Sequence, residues 1–528
     1  MGGILAGIEN MEYLQGVSPR EYQLKILQTC LEKNCLVVLP TGLGKTLIAL
    51  MLVIERMKKF PGEKVIFLAP TRPLAEQHLK YFQKHLPELF ADMQLFTGEV
   101  NAQNRKKIWQ RADIIFSTPQ CIANDVKNGL YTLSGVSLLI EDEAHKCLKN
   151  YSYTYVAKKY LESAENQKIL GLTASPGSET HKIKEICRNL SIEEVELRSR
   201  DSPDVKRYLQ ELEFEKVMID FPSELEEIRQ VLKTLFEKYI NELRMKNVLF
   251  GNSSKIELIN LQRKISRILS SGNQNFNYYS AASACAQAIK LQHALELLET
   301  QTLKSFDMYL NDLSKQAGMG KSKGVVKLVS TSEFVFVFNR AKELLGKKFE
   351  HPKIQKLFEM VSEEIEKNEK MKIIIFTQFR DTATIVSEKL NEIPKINAKI
   401  FVGQMKKKET GMNQKEQKKI IEDFSNGDVN ILCATSIGEE GLDIPEVNAV
   451  IFYEAVASAI RKIQRAGRTA RLMKGKLIML ITKKTRDENM YYVSRSREKK
   501  MYSSIEEVRE DLKNRNMKNK QETMEKYF

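Results

Sequence analysis

Short apolar runs recur along the first part of the chain, and segments with helical periodicity separate most of them. Such runs predict buried strands, and strands that alternate with helices are typical of a parallel sheet. The predicted strands are 36–39, 65–69, 113–117, 137–140 and 168–172. A second series predicts strands at 372–377, 398–402, 430–434, 449–453 and 476–481. The chain therefore contains two similar α/β units.

The middle of the chain, about 222–346, has few strand signals and long helical periodicity, with helices predicted at 224–245, 254–269 and 281–313. It is interpreted as a helical domain inserted between the two α/β units. Near the amino terminus, Ser18-Pro19-Arg20-Glu21 predicts a helix that Ser18 caps and that runs to about Lys33. From about Arg495 the chain is charged and helix-prone, which predicts a solvated tail.

A phosphate-binding motif follows the first predicted strand, in the segment Leu39-Pro40-Thr41-Gly42-Leu43-Gly44-Lys45-Thr46. Its glycines let backbone N–H groups surround phosphate oxygens, and Lys45 can neutralise the outer phosphates. The segment Asp142-Glu143-Ala144-His145 follows a later apolar run. The Thr46 hydroxyl and Asp142 can together hold Mg²⁺. A phosphate loop matched with a carboxylate pair at a strand end predicts hydrolysis of a nucleoside triphosphate.

Polar clusters also follow other predicted strands, where ligands bind in doubly wound sheets. One such cluster alone fits an ordinary turn equally well, but six in this order make coincidence a poor explanation. The clusters in the first unit are 70–73, 117–120 and 173–176, and those in the second unit are 376–380, 434–443 and 464–471.

Composition narrows the class of protein. The 528 residues are too many for one core, and the 42% hydrophobic and 29% charged content is that of a globular chain. No apolar stretch approaches the ~20 residues that a bilayer span needs, and the start lacks the basic region of a signal peptide. The net charge of +15 suits a polyanionic partner. The seven cysteines are scattered, so neither a structural metal nor a disulfide is expected.

The ordered motifs resemble those of a superfamily 2 helicase of the DEAH type, from Arg20 to about Lys500. Three further stretches and the helical insertion resemble the archaeal Hef helicase, which groups with the Fanconi anaemia M translocase and more distantly with the RIG-I-like RNA receptors. Those stretches are Asp201-Ser202-Pro203-Asp204-Val205, His351-Pro352-Lys353 and Tyr491-Tyr492-Val493-Ser494-Arg495.

The resemblance implies two RecA-like parallel-sheet domains with an all-helical domain between them, and ATP and Mg²⁺ as cofactors. The domains are 1–221, the first RecA-like ATP-binding domain, 222–346, the helical insertion, 347–500, the second RecA-like domain, and 501–528, a charged tail. The insertion is assigned to recognition of branched or duplex DNA, because the two-unit motor does not explain a preference for forks and the insertion offers basic faces. The alternative is a brace that only sets the spacing of the two units.

The resemblance also implies catalytic roles. Glu143 would polarise the attacking water, and Arg468 and Arg471 would act as arginine fingers from the second α/β unit. His145 and Gln464 would couple nucleotide state to closure of the two units. Arg20 and Gln23 would read adenine. The full set of implied nucleotide-binding residues is Arg20, Gln23, Pro40, Thr41, Gly42, Leu43, Gly44, Lys45, Thr46, Gly441 and Asp443.

The strand-end clusters are also the expected nucleic-acid contacts, because their polar groups can bind phosphates in any sequence. Arg72 and Arg380 are the expected charged contributors. The expected contacts are Pro70, Thr71, Arg72, Thr97, Gly98, Thr118, Pro119, Gln120, Gln378, Arg380 and Thr435.

Some residues depart from the usual pattern or have a plainer interpretation. Leu39, Ala466 and Ala470 replace residues that the family commonly has, but none of them is needed for hydrolysis. Glu141 replaces an apolar residue and is expected to point away from Asp142 and to be solvated at the strand end. The single tryptophan, Trp109, is expected to pack on a helix face.

Three functions are compatible with the sequence. The first is an ATP-dependent DNA helicase or translocase that remodels forks and junctions in repair, and the second is an RNA-stimulated ATPase of the RIG-I-like branch. The third, a scaffold without ATPase activity, is disfavoured because every residue needed for hydrolysis is present. The expected partners are DNA and either a separate nuclease or a sliding clamp, and the expected location is the cytoplasm, at the nucleoid. A natural helicase-only form and a truncated chain both fit, and the oligomeric state stays open.

Overall fold

A computed structural model describes residues 13–525 apart from 210–211, 272–274, 321, 369, 404–411, 436–444 and 456–474. The first α/β domain contains a parallel sheet in the order β3-β4-β2-β5-β6-β1-β7. Its strands are β1 (Cys35–Val38), β2 (Lys64–Leu68), β3 (Met93–Phe96), β4 (Ile114–Ser117), β5 (Val136–Asp142), β6 (Ile169–Thr173) and β7 (Glu194–Leu197).

Helices cover both faces of this sheet, so β1 and β5 are buried along their whole length. One apolar cluster contains Ile48, Leu52 and Phe67, and the other contains Tyr153 and Tyr160. The helices are α1 (Glu21–Glu32), α2 (Lys45–Lys59), α3 (Arg72–His85), α4 (Ala102–Arg111), α5 (Pro119–Lys127), α6 (Ser152–Ser163), α7 (Thr180–Asn189) and α8 (Pro203–Lys206), with a short 3-10 turn at Ala144–Lys146.

The second sheet has the order β10-β11-β9-β12-β13-β8 and is also parallel. Its β8 (Leu212–Ile219) pairs with β13 although it falls within the range 1–221 predicted for the first domain. The second α/β unit thus contains residues from both sides of the helical insertion. The other strands are β9 (Ile373–Phe376), β10 (Ala398–Phe401), β11 (Ile431–Ala434), β12 (Ala449–Phe452) and β13 (Gly475–Thr482).

The insertion is all-helical, as predicted, and its helices share one apolar core. The helix predicted at 281–313 is wrong as a single element, because a new helix begins where the Thr302 side chain accepts from Ser305 N. The insertion helices are α9 (Ser223–Met245), α10 (Lys255–Ser270), α11 (Phe276–Thr300), α12 (Leu303–Gly318), α13 (Lys323–Val329) and α14 (Ser332–Gly346), and those that follow are α15 (Pro352–Lys367), α16 (Arg380–Leu390), α17 (Gln414–Asn426) and α18 (Arg486–Glu525).

The prediction of a solvated tail from about Arg495 is wrong for the middle of α18. Met501, Ile505 and Val508 are at most 1% exposed and belong to the core of the first domain. Lys184 on α7 forms ion pairs with Glu507 and Asp511, at 3.3 and 2.7 Å. The helix therefore leads from the second sheet back onto the first domain.

Other predictions concern single residues. Trp109 stacks on Tyr131 with ring centroids 3.8 Å apart, which confirms its packing role. All seven cysteines are buried and carry free thiols. Within the described ranges, no helix is both long and apolar enough to cross a membrane.

Candidate nucleotide and nucleic-acid site

The phosphate loop connects β1 to α2 and has the backbone shape that its glycines allow. Gly42 and Gly44 have φ values of 88° and 77°, in the left-handed region that favours glycine. A Cβ on Gly44 would also collide with the Gln23 amide nitrogen. Lys45 Nζ donates to the Leu39 carbonyl at 2.9 Å, so the ammonium group lies at the mouth of the loop. The segment is thus shaped as a cradle for phosphates.

Two side chains on α1 hold this loop from outside. Tyr22 Oη donates to the Leu43 carbonyl at 2.8 Å, and Gln23 Nε2 donates to the same oxygen at 3.2 Å. Gln23 Oε1 accepts from Arg20 N at 2.8 Å, and Arg20 is the N-cap of α1. The prediction that Ser18 caps this helix is therefore wrong. The Arg20 guanidinium lies 5.3 Å from the Tyr208 ring centroid, beside the loop.

Asp142 ends β5 and is held by two buried side chains. Its Oδ2 lies 2.9 Å from His78 Nε2, and its backbone carbonyl accepts from Tyr153 Oη at 2.7 Å. Burial opposes ionisation, but the His78 ring and the Lys45 ammonium favour it, and the pKa of Asp142 lies below its usual value. A carboxylate near the Lys45 ammonium is the oxygen ligand that a phosphate-bound Mg²⁺ ion requires.

Glu143, the second carboxylate of the pair, contacts His145, and His145 contacts Thr173 at the end of β6. Glu143 has φ 53°, a left-handed conformation that is uncommon for a residue with a side chain. His145 Nδ1 lies 3.1 Å from Glu143 Oε2 and 3.1 Å from Thr173 Oγ1, and Thr173 Oγ1 accepts from Ser175 N at 3.1 Å. Contacts of 3.1 Å therefore lead from Glu143 through His145 to Thr173, although Glu143 Oε2 itself forms no hydrogen bond among the described residues.

Glu141 is fully buried, so the expectation of a solvated side chain is wrong. Helices cover both faces of β5, and a strand end beneath them is not open to water. Neither carboxylate oxygen has a hydrogen-bond partner among the described residues, and burial raises the pKa of Glu141 to about 8. Its polar neighbour is the Cys147 thiol, which is a weak donor.

Glu141→Leu is expected to stabilise the protein, because it removes a carboxyl group that is buried without adequate hydrogen bonds. The free energy of unfolding should rise by about 1–3 kcal/mol, measured by chemical denaturation at neutral pH. Lower stability would show that Glu141 has a polar partner of real energetic value.

The expected nucleic-acid residues and the nucleotide-site residues lie on different halves of the first sheet. The strand ends near the phosphate loop are those of β1, β5 and β6. The expected DNA contacts follow the adjacent strands β2, β3 and β4 on the other half. Thr71, Gly98 and Gln120 are exposed there, whereas Thr97 and Pro119 are buried. Nucleotide and nucleic acid would thus occupy different parts of one sheet edge.

Three of the expected nucleic-acid residues already have protein partners. Arg72 pairs with Glu99, and Gln120 Nε2 donates to Tyr151 Oη at 3.1 Å. In the second sheet, Arg380 donates to the Gly403 carbonyl at 3.2 Å. Gln378, after β9, is exposed, while Thr435, after β11, is buried. The assignment of all these residues to DNA stays a prediction.

Several predicted site residues lie outside the described ranges. They are Gln464, Arg468, Arg471, Gly441 and Asp443. The described residues, in turn, include two that the sequence did not point to, Tyr22 and His78, which hold the phosphate loop and Asp142. Its spacing from Ala75 and Phe82 places His78 on the buried face of α3, but this pattern does not indicate a contact with Asp142.

The fold and the site define a superfamily 2 helicase: two parallel-sheet units, a phosphate loop after β1, and an acidic pair at the end of β5, which β6 separates from β1. Family models agree. Residues 20–183 match the DEAD/DEAH box helicase model, residues 353–473 match the helicase conserved C-terminal domain, and residues 224–344 match a helical-bundle model described for ATP-dependent RNA helicases.

The chain belongs to the family of the archaeal Hef helicase and the Fanconi anaemia M proteins. It is 41% identical to the Hef helicase domain of Pyrococcus furiosus, whose crystal structure it matches with a TM-score of 0.70 over 90% of this chain and 98% of that chain. The predicted family and fold are thereby confirmed.

Two longer relatives are similar over most of this chain. A Methanocaldococcus jannaschii protein that bears the name of an ATP-dependent RNA helicase is 38% identical over 91% of this chain and 60% of its own length. The Fanconi anemia group M protein homolog of Mus musculus is 32% identical over 94% of this chain and 26% of its own length. The chain thus spans less than two thirds of the length of each of these relatives.

Proposed function

We propose that this chain is an ATP-dependent DNA helicase or translocase that binds and remodels branched DNA, such as forks and junctions, in repair. The observation that supports this most is the joint arrangement of Lys45, Asp142 and Glu143 at one sheet edge within a Hef-type fold. The proposal extends to stalled-fork processing at the nucleoid and to a separate nuclease or sliding clamp as a partner.

ATP fits the loop, because left-handed glycines leave room for phosphates and Lys45 supplies a positive charge beside them. Thr46 and Asp142 would hold Mg²⁺, which supplies charge neutralisation for phosphoryl transfer. Glu143 would orient and polarise the attacking water. Arg468 and Arg471 would stabilise the transition-state charge from the second domain, so that hydrolysis depends on domain closure.

The insertion would recognise branched DNA through α10. Arg263, Lys264 and Arg267 are exposed on this helix, and among the described residues none of the three has an ion-pair partner. Arg267 lies three residues after Lys264 and four after Arg263, so the three side chains form one basic face. We expect this face to bind the phosphates of a duplex arm.

Replacing Arg263, Lys264 and Arg267 by alanine should weaken binding of forked DNA while single-stranded DNA still stimulates ATP hydrolysis. Each lost phosphate contact lowers the salt dependence of binding by about one unit of slope. Titrations of forked and single-stranded DNA at several salt concentrations measure this. Equal loss of affinity for both would contradict a specific role of α10, and unchanged fork affinity would exclude that role.

A second candidate is an RNA-stimulated ATPase. The name of the Methanocaldococcus jannaschii relative and the description of the helical-bundle model favour it. Comparing double-stranded RNA with forked DNA as stimulators of ATP hydrolysis distinguishes the two candidates.

A further inference from the structure

A fully buried ion pair lies where the insertion meets the second α/β domain. Lys353, at the start of α15, pairs with Asp487, in the first turn of α18, and both side chains are 0% exposed. Burying two charges is costly, and such a pair persists only when further hydrogen bonds satisfy it. Its other contacts therefore show which parts of the protein it connects.

On one side the pair contacts the insertion. Lys353 Nζ donates to the Thr300 carbonyl, the last residue of α11, at 3.1 Å. The next residue, Gln301, is also fully buried and accepts from Thr382 Oγ1 on α16 at 2.8 Å. The carboxyl end of the longest insertion helix is thus fixed to the second domain by buried polar groups.

On the other side the pair contacts two residues that follow β12, Tyr453 and Ala455. The Lys353 ammonium lies 5.2 Å from the Tyr453 ring centroid, and Asp487 Oδ1 accepts from Ala455 N at 3.3 Å. Between them, Glu454 Oε2 accepts from Gln301 Nε2 at 3.3 Å. Ala455 directly precedes the range 456–474, in which the sequence places Gln464, Arg468 and Arg471.

We propose that Lys353 and Asp487 are positioning residues that transmit the state of the insertion to the segment after β12. This inference rests on the proposed function, because it makes fork-stimulated hydrolysis depend on a contact between the insertion and the second domain. A shift of α11 moves the Thr300 carbonyl. Since Lys353 bonds that carbonyl and Asp487 holds Ala455, the shift alters how the 453–455 segment is held.

Burial raises the pKa of Asp487, and the charge of Lys353 and the hydrogen bonds from Thr482 N and Ala455 N oppose that rise, so the lysine is what favours the carboxylate form. Burial, and then the charge of Lys353, lower the pKa of His351 to about 3, so this neighbouring ring is neutral at pH 7. His351 Nδ1 accepts from Lys353 N at 3.2 Å, which fixes the backbone that carries the lysine. Asp487 Oδ2 also accepts from Thr482 N at 3.2 Å.

The test is a double variant, Lys353→Met with Asp487→Leu, which removes both charges without leaving one of them unpaired. Its control is Lys356→Met with Glu359→Leu, an exposed pair on α15 with a distance of 3.2 Å. We expect the buried double variant to lose about tenfold in fork-stimulated kcat. Its affinity for forked DNA and its KM for ATP should stay near those of the parent, and the control should be unchanged in all three.

A merely structural role predicts a lower thermal midpoint with an unchanged ratio of fork-stimulated to single-strand-stimulated kcat, and that result would overturn the relay. If the double variant does not unfold cooperatively, Asp487→Asn decides instead, because it removes the ion pair that links Thr300 to Ala455 while it keeps the size of the side chain. Retained fork stimulation in Asp487→Asn would equally overturn the proposal. A parent protein that no DNA stimulates would overturn the proposed function itself.

Discussion

Glu143→Gln is expected to bind ATP with nearly parental affinity and to hydrolyse it slower by orders of magnitude. The glutamine keeps the size of the side chain but cannot act as the base that polarises water, while Lys45, Thr46 and the glycine cradle remain. Equilibrium binding of a fluorescent ATP analogue and single-turnover hydrolysis measure the two effects. Lys45→Ala should also abolish turnover, but with a loss of nucleotide affinity.

Glu141→Gln is the matched control, because the same substitution is made two residues earlier, within β5. Glu141 is fully buried among the residues that cover β5 and has no role in hydrolysis, so its variant should keep ATPase activity. Comparable hydrolysis by Glu143→Gln and the parent would remove Glu143 from the mechanism.

The second large effect is expected for Arg468→Ala. An arginine finger acts on the charge that develops in the transition state and contributes about 10³–10⁵ in rate. Turnover should therefore fall by orders of magnitude, while ATP affinity changes little. Arg111→Ala is the control, since this α4 side chain is 69% exposed.

The opposite pattern would assign Arg468 a different role. If Arg468→Ala lost ATP binding and kept its turnover per bound nucleotide, the arginine would be a ground-state ligand. Stopped-flow binding combined with quench-flow hydrolysis at saturating ATP distinguishes these cases.

Much of the fold follows from local pattern, because buried parallel strands are continuous apolar runs. All ten predicted strands are present within two residues of their predicted ends. The three missed strands lack such runs. Glu194–Leu197 carries two glutamates, and Leu212–Ile219 exposes much of its length at the sheet edge.

The burial of one face of α18 could have been predicted from the sequence. Met501, Ile505 and Val508 follow the spacing of one helix face, and this spacing predicts a buried stripe even in a charged segment. The burial of Glu141 could not be predicted from the sequence. The alternation of side chains along a strand shows which face of the sheet a residue is on, but not how completely helices cover that face.

The phosphate loop and the acidic pair were predicted because each motif is contiguous in the chain. The side chains that hold these two motifs in place were not predicted. Tyr22 and His78 act across the fold, and Thr300, Lys353 and Asp487 come together only through the meeting of three helices. Contacts between distant residues carry no local signal, so a single sequence cannot reveal them.

The most direct measurement is ATP hydrolysis by the parent protein with single-stranded DNA, duplex DNA, forked DNA and double-stranded RNA as stimulators. For a branched-DNA motor of the Hef family, we predict the highest kcat with forked DNA and weak stimulation by RNA. Stimulation by double-stranded RNA and by none of the DNA substrates would contradict this function.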